Sequence, residues 1–576
     1  MTTRPHHYSD TFSALWPWLP LWILVALIAI FSHGPMPLYS TRTLAVAWDM
    51  WSHGQWLVPH LNGQPYSEKA PLLFWMIHAG WFVFGVSDIW PRVLEVGFGA
   101  TELILAMLLA RRLFPERPWV ARATPWMLLA LCYAFLFDLQ IMYDVLLAVW
   151  ALAALLCLTP KPDRAEPRWL LFGVCIGLGL LTKGPVMLLH VVFPWLLGPL
   201  WCDWAREHRA RWYGRGVLSV LLGLVILAAW VAPAVHVGGE AYRHRLLFTQ
   251  TAARVVDGVQ HAMPLQSHSR PWWWYFSQFP VILFPFFFWP RAWAALVTLR
   301  RPLGTGIRFC LCWLLPMLLA LSLISGKQAY YPLPEFAGVM LLLAGAIAVL
   351  RERHPTLARH AWLGTWLLGL GSIVLAVVLF VMPWLLESDL VHSAWAVAVA
   401  ANGRYVSVVF LLLGLLLFVR GRGEMRRLAI AGLIGALAFN TLFTLAWWPR
   451  YDLHPTAQLL HRAEADNRAL AYVGGYDGQF HFDGRLTHPI QELYSPAAIQ
   501  RFARRHPDGL IVTHPDQPLD QARRYAILIQ PFRSSWTVTW PARTLADIQA
   551  GRTPAEPRQP TRIIDPMHPG RYRAQP

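Results

Sequence analysis

The sequence predicts an α-helical protein that crosses a membrane many times and carries a small α/β domain outside the bilayer. Three observations predict this class. Hydrophobic residues make up 56% of the 576 residues and charged residues only 14%, which is more apolar surface than one soluble core can bury. The apolar runs approach the roughly 20 residues that a bilayer requires. After Trp448 the composition becomes polar, with turn residues between short alternating stretches.

The first apolar run, Leu15 to Phe31, has no small-residue cleavage site after it, so we expect a retained span rather than a signal peptide. The segment 71–87 is short and aromatic, and we interpret it as a helix at the membrane interface. With the first run, the sequence predicts about thirteen transmembrane helices. The further spans are expected near 93–110, 122–138, 140–158, 168–184, 186–202, 216–237, 276–296, 306–325, 331–350, 361–384, 403–420 and 427–448.

Alternate loops carry the cations, and by the positive-inside rule they face the cytoplasm. These basic loops lie near 111–117, 161–168, 206–215, 300–308, 351–359 and 420–427. The same count places the first large loop, 32–92, and everything after Trp448 on the opposite, non-cytoplasmic side. Because the net charge of +17 is spread over these loops and the C-terminal tail, anionic membrane lipids explain it better than nucleic acid does.

The polar part after residue 448 is predicted to be an α/β domain over 449–551, followed by a disordered Pro/Arg-rich tail over 552–576. Residues 1–448 form the membrane domain in this interpretation. Helices are expected near Pro455–Ala465 and Pro496–His506. Strands are expected near Ala469–Gly474, Gly509–Thr513, Ala526–Gln530 and Trp536–Trp540.

The loop from Tyr39 to Pro71 is the most informative segment, because it is polar and follows directly on the first span. It places two cations, Arg42 and Lys69, in one loop with Tyr66, Asp49 and Glu68. Charge-assisted hydrogen bonds from such cations are a strong way to hold a phosphate. The loop therefore favours a membrane enzyme that binds the phosphate of a lipid.

This loop resembles the first periplasmic loop of the bacterial lipid A aminoarabinose transferases and the related protein O-mannosyltransferases, which are type C membrane glycosyltransferases. The matching residues are Thr41, Arg42, Gly54, Trp56, Val58, Pro59, Asn62, Gly63, Tyr66, Glu68 and Lys69. Three further segments are similar to family motifs: Leu181–Pro185, with the sequence LTKGP, Arg270–Tyr275, and Ser325–Pro334. The resemblance covers nearly the whole membrane part of the chain.

The resemblance implies the type C fold and transfer of a sugar from a polyprenyl-phosphate carrier to lipid A, a glycan or a protein. Departure of the phosphate requires cations, and the acceptor's proton requires a base. Whether the site also holds a divalent metal is left open; Glu68 is the candidate ligand. The candidate bases are Asp144, Glu68 and Asp49. The candidate phosphate-binding residues are Arg42, Tyr66, Lys69, Lys183, Arg254, Lys327 and Tyr330.

One departure from the family pattern leaves two readings open. Where the family has Asp-Glu before Thr-Arg, this chain has Tyr39-Ser40. Either another carboxylate takes the proton, or the chain is a non-catalytic member that binds the lipid carrier or an envelope partner. A transporter is disfavoured, because few ionisable residues lie where the bilayer midplane is expected.

Overall fold

A computed structural model of the chain describes residues 17–138, 140–161, 166–249, 270–300, 302–388, 394–421, 423–518, 520–557, 559–564 and 572–573. The chain divides into two compact units. Unit 1 contains residues 1–31, 67–381 and 404–439. Unit 2 contains residues 32–66, 382–403 and 440–576, so the first part of the first loop belongs with the C-terminal region. The sequence predicts a different division, at residue 448.

Helices dominate the chain up to residue 446. In chain order they are α1 (Leu19–Ser32), α2 (Ser40–Ser52), α3 (Leu72–Phe84), α4 (Ile89–Leu113), α5 (Pro118–Ala130), α6 (Cys132–Asp138), α7 (Tyr143–Leu158), α8 (Trp169–Lys183), α9 (Val186–Leu196), α10 (Gly198–Trp201), α11 (Asp203–Glu207), α12 (Arg209–His244), α13 (Trp274–Ile282), α14 (Pro290–Val297), α15 (Thr305–Leu323), α16 (Phe336–Arg353), α17 (Pro355–Ala358), α18 (Trp366–Glu387), α19 (Ala394–Phe418) and α20 (Glu424–Ala446).

Seven helices in the described part of the chain are long and apolar enough to cross a membrane, and five shorter apolar helices accompany them. The prediction of a polytopic helical membrane protein is confirmed. Predicted spans 122–138, 186–202 and 276–296 are each divided into shorter helices rather than continuous. Proline accounts for the break in 276–296, because the residue before a proline disfavours helix and α13 ends before Pro285.

Within unit 1, α8 packs between α7 and α12. Glycines one turn apart on α8 allow this close approach, since a β-carbon at Gly177 would lie 2.6 Å from Ile226 Cδ1 and one at Gly173 would lie 2.7 Å from the Ser219 carbonyl oxygen. Consecutive helices α7 and α8 run in opposite directions, so the start of α7 lies beside the end of α8. Gly184, with φ of 71°, ends α8 directly after Lys183.

Unit 2 contains α2 and a short antiparallel hairpin of β1 (His60–Leu61) and β2 (Gln64–Pro65). Asn62 and Gly63 form the two-residue turn with φ of 53° and 73°. Two positive φ values are typical of a type I′ turn, for which Asn-Gly is the preferred pair. The sequence therefore specifies this hairpin locally.

The C-terminal region of unit 2 is a seven-stranded mixed sheet in the order β4-β3-β5-β7-β6-β8-β9. The β4-β3-β5 part is parallel, whereas β7 pairs antiparallel with β5 and β6. Helices lie between the strands, and apolar clusters cover both faces. The elements are α21 (His454–Ala465), β3 (Leu470–Val473), β4 (Gln491–Leu493), α22 (Pro496–Arg505), β5 (Leu510–Thr513), α23 (Asp520–Tyr525), β6 (Leu528–Phe532), β7 (Ser535–Pro541), α24 (Ala542–Gln549), β8 (Arg562–Ile564) and β9 (Tyr572–Arg573).

Each strand and helix expected from the sequence after residue 448 has a counterpart within a few residues. The short strand β4 and helices α23 and α24 were not expected. Strands β8 and β9 lie in the segment 552–576, where composition predicts a disordered tail. Strand β8 pairs in parallel with β6, which supplies backbone hydrogen-bond partners for part of this Pro-rich segment. Amino-acid composition alone cannot predict such pairing between distant segments.

Candidate active site

The centre of the candidate site in unit 1 is an ion pair between Asp144 and Lys183. Asp144 lies in the first turn of α7, and Lys183 is the last residue of α8. Both positions are favoured by the helix dipole, which stabilises an anion at the first turn and a cation at the last. The two side chains are only 1% and 9% exposed. A charged pair held this far from water is expensive and is therefore a marker of function in a membrane protein.

Two aromatic rings cover the lysine of this pair. The Lys183 Nζ lies 4.9 Å from the ring centroid of Tyr331 and 5.7 Å from that of Tyr330. The two rings pack edge to face, with centroids 5.3 Å apart. They belong to the segment before the 3₁₀ turn Leu333–Glu335. The predicted residues Lys183 and Tyr330 therefore lie together with Asp144.

A second lysine approaches the start of α7. The Lys69 Nζ lies 5.4 Å from the ring centroid of Tyr143, the residue before Asp144. Lys69 and its neighbour Glu68 are half-buried. Two cations thus meet consecutive residues in the first turn of one helix. Because the N-terminal end of a helix carries partial positive charge, this arrangement is suited to an anion such as phosphate.

Lys327, a predicted phosphate ligand, is buried and contacts backbone carbonyl groups. It is 3% exposed, and its ammonium donates hydrogen bonds to the carbonyl oxygens of Arg270, at 3.0 Å, and Ile324. Ile324 is the residue directly after α15. Lys327 therefore ties the end of α15 to the segment that begins at Arg270. Arg254, also a predicted phosphate ligand, lies outside the described residues.

Unit 1 also contains a buried histidine–glutamate pair that was not predicted from the sequence. His190 on α9 and Glu335 at the start of α16 are 1% and 5% exposed. Their Nδ1 and Oε1 atoms are 2.6 Å apart. The sequence around His190, VMLLHVVF, is otherwise apolar. An ionisable residue in such a stretch needs a partner, so His190 could have been predicted to form a buried pair.

In unit 2, Arg42 on α2 pairs with Asp477 of the C-terminal region. The Arg42 Nη2 lies 2.6 Å from the Asp477 Oδ1, and the side chains are 30% and 44% exposed. Tyr66, another predicted phosphate ligand, is buried and donates its backbone N–H to the Pro59 carbonyl oxygen at 2.7 Å. Sequence reasoning placed a cation at Arg42 but not its carboxylate partner, which lies 435 residues further along the chain.

Asp49, a candidate base, is buried on the same helix. Burial raises the pKa of its carboxyl above the ordinary value, whereas the nearby His53 and His60 and a backbone hydrogen bond from Gly63 act in the opposite direction. The Nδ1 of His53 lies 3.4 Å from its Oδ1. Asp49 therefore has local partners within unit 2.

A metal ion in the site would need several ligating side chains close together. Among the residues that the structure describes, no group of three or more His, Cys, Asp and Glu side chains is placed to hold one. Hard divalent cations require several oxygen ligands. The metal role of Glu68 stays a prediction, and no chemical step is derived through a metal.

The fold itself matches that of a solved membrane protein. The structure of ArnT from Cupriavidus metallidurans bound to undecaprenyl phosphate superposes with a TM-score of 0.66 at 19% identity, over 91% of this chain and 98% of the other. The same protein without ligand gives the same TM-score, 0.66. The fold of the chain is thus that of a polytopic helical membrane protein.

Sequence comparisons identify the family. Residues 68–232 match the profile of the dolichyl-phosphate-mannose-protein mannosyltransferases. An undecaprenyl phosphate-alpha-4-amino-4-deoxy-L-arabinose arabinosyl transferase from Pseudomonas paraeruginosa is 31% identical over 410 residues, 66% of this chain and 70% of the relative. Its counterpart from Pseudomonas aeruginosa is 32% identical over 408 residues, with the same two coverages. The chain belongs to this family of arabinosyl transferases, and the predicted resemblance is confirmed.

Proposed function

We propose that the protein is an inner-membrane glycosyltransferase that moves a sugar from a polyprenyl-phosphate carrier to an envelope acceptor at the periplasmic face. The relatives' names give undecaprenyl phosphate as the carrier and 4-amino-4-deoxy-L-arabinose as the sugar. Lipid A is the acceptor we favour, ahead of another glycan or a protein. The observation that carries this proposal is the buried group of Asp144, Lys183, Tyr330 and Tyr331 at the ends of α7 and α8.

In the proposed reaction the bond between the sugar's anomeric carbon and the phosphate oxygen breaks, and a bond to the acceptor oxygen forms. The leaving phosphate keeps the electron pair of the broken bond and gains negative charge. Lys183 and Lys69 stabilise that charge where it develops. The rings of Tyr330 and Tyr331 limit the positions that the Lys183 ammonium can take.

The acceptor's proton goes to a carboxylate, for which Asp144, Glu68 and Asp49 are the candidates. Asp144 contacts Lys183, a predicted phosphate-binding cation. Asp144 is therefore our first choice for the base.

The membrane arrangement proposed with this function has about thirteen spans. The first loop and the C-terminal α/β region lie in the periplasm, as the distribution of cations predicts. The seven long and five shorter apolar helices of the described chain support a polytopic arrangement. Membrane lipids surround the spans, and the carrier reaches the site from the bilayer.

A second candidate function is binding of the lipid carrier without transfer. Tyr39-Ser40, in place of an acidic pair, is the observation that favours it. Ser40 is 1% exposed at the start of α2, and no hydrogen-bond partner of its Oγ lies within the described residues. An acidic side chain at position 39, which is half-buried, would be tolerated more readily than one at position 40.

The test is turnover of undecaprenyl-phosphate-linked aminoarabinose with lipid A by the purified full-length protein. We expect activity in the wild type and a loss of about 10²–10⁴-fold in Asp144→Asn. Glu68→Gln, which neutralises a half-buried carboxylate next to Lys69, is the matched comparison and identifies the base if Asp144→Asn stays active. Activity that first appears in Tyr39→Asp would favour the binding-only reading of the native chain, as would undecaprenyl phosphate binding without turnover.

A further inference from the structure

Within unit 2, a single C-terminal segment holds the first loop at several points. The side-chain amide of Asn62 donates to the Ile490 carbonyl oxygen at 2.9 Å and accepts from the Ile490 N–H at 2.7 Å. The Trp48 indole N–H donates to the Leu486 carbonyl oxygen at 2.8 Å. The segment 476–490 thus fixes both α2 and the hairpin, and its Asp477 is the residue that contacts Arg42.

Hydrogen bonds and close packing hold Asp477 in place. It lies in the loop after β3, at the carboxyl edge of the parallel strands. Its backbone N–H donates to the Gln479 Oε1 at 3.1 Å. Gln479 is 2% exposed and donates to the Tyr472 hydroxyl at 3.1 Å. At the adjacent Gly478, with φ of 78°, a β-carbon would lie 2.5 Å from Leu61 Cδ1, so the loop packs directly on the hairpin.

We propose that Asp477 is a positioning residue for donor binding, which orients the Arg42 guanidinium before the carrier phosphate arrives. This inference rests on the proposed function and on the predicted phosphate-binding role of Arg42. An arginine side chain has many rotamers, and ordering it on binding costs affinity. A carboxylate held by a buried network removes that cost in advance. The contact is a hydrogen bond from the Arg42 Nη2 to the Asp477 Oδ1.

A purely structural role explains the pair less well. Both side chains are partly exposed, and ion pairs of that kind contribute little to folding. The hairpin is already held to the same segment by the two Asn62 hydrogen bonds. Loss of the Asp477 charge should therefore leave the fold of unit 2 intact and change the affinity for the carrier.

The experiment measures binding of undecaprenyl phosphate to the full-length protein in lipid nanodiscs. Asp477→Asn should weaken binding about three- to tenfold, and Asp477→Glu, which keeps the charge, should bind within about twofold of the wild type. The matched control is Asp483→Asn, in the same loop, whose carboxylate pairs with His454 at 2.9 Å. This control should bind like the wild type.

The decisive comparison is the double variant. Arg42→Gln should weaken binding more than tenfold, and Asp477→Asn should add nothing further in that background, because Asp477 acts through Arg42. A normal affinity of Asp477→Asn, or an equal loss with and without Arg42, would overturn the positioning role. A wild type that does not bind undecaprenyl phosphate would instead overturn the proposed function, and this inference with it.

Discussion

Removal of either member of the Asp144–Lys183 pair should destabilise unit 1 far more than removal of both. Asp144→Asn leaves the Lys183 ammonium buried beside a neutral amide, and Lys183→Met leaves the Asp144 carboxylate buried beside a thioether. The side chains are 1% and 9% exposed, so water screens neither remaining charge effectively.

The expected magnitude follows from this burial. At an effective dielectric constant of about 20 and a separation of about 3 Å, two unit charges attract by roughly 5 kcal/mol. Breaking a buried pair from one side costs about 3–5 kcal/mol in measured cases, whereas removal of both charges costs far less. We therefore expect each single variant to lose about 3–5 kcal/mol, and the double variant to lose less than either single variant alone.

The measurement is the midpoint of thermal unfolding, followed by tryptophan fluorescence in one fixed detergent. Asp203→Asn is the control, because its Arg206 partner and the aspartate are 49% and 73% exposed, and an exposed pair contributes at most about 1 kcal/mol. The double variant should regain most of the midpoint but bind undecaprenyl phosphate more than tenfold more weakly than the wild type. Strictly additive midpoints would refute the buried pair, and normal binding by the double variant would refute its role in the site.

Three further predictions concern the cations, the pH dependence and the topology. Lys69→Ala should weaken undecaprenyl phosphate binding more than tenfold, whereas Lys161→Ala, in a predicted cytoplasmic loop, should not; equal affinities would remove Lys69 from the site. Burial lowers the pKa of His481 and His514 to about 4 from an ordinary 6.5. Between about pH 4 and 6.5 the unfolded chain therefore binds more protons than the folded chain. Stability of the C-terminal region should be full above about pH 6.5 and fall as the pH approaches about 4. Hydrogen exchange of residues 449–551 between pH 7.5 and 4.5 tests this, and a flat profile would contradict it. Reporter fusions at Ser40 and Pro515 should both report the periplasm, and signals from opposite sides would show that the count of about thirteen spans is wrong.

The sequence predicted the class of fold well, because apolar runs of bilayer length are a strong signal. It predicted helix breaks poorly. The run 276–296 is mostly apolar, but the structure divides it into α13, a 3₁₀ turn and α14. Pro280 lies within α13, whereas α13 ends before Pro285 and Pro290 begins α14. A hydropathy average gives proline no special weight, although the missing N–H and the fixed φ decide where a helix ends.

The site was predicted as a set of residues but not as a set of contacts. Lys183 and Asp144 were named separately, and only the packing of α7 against α8 shows that they pair. Lys327 matched a motif, but its ammonium donates to backbone carbonyl oxygens. Asp477 carried no signal of its own, because nothing in the C-terminal sequence indicates which first-loop side chain it faces.

The hydrogen bonds of Asn62 have a consequence for the order in which the protein matures. Asn62 leaves the ribosome before Ile490, whose backbone accepts from and donates to the Asn62 side chain and which follows 428 residues later. At roughly 5–20 residues per second, synthesis of that interval takes about 20–90 s. During this time the hairpin has to persist without its C-terminal partner, while the intervening apolar helices are made. A chain that stops after the last span would leave α2 and the hairpin permanently in this immature state.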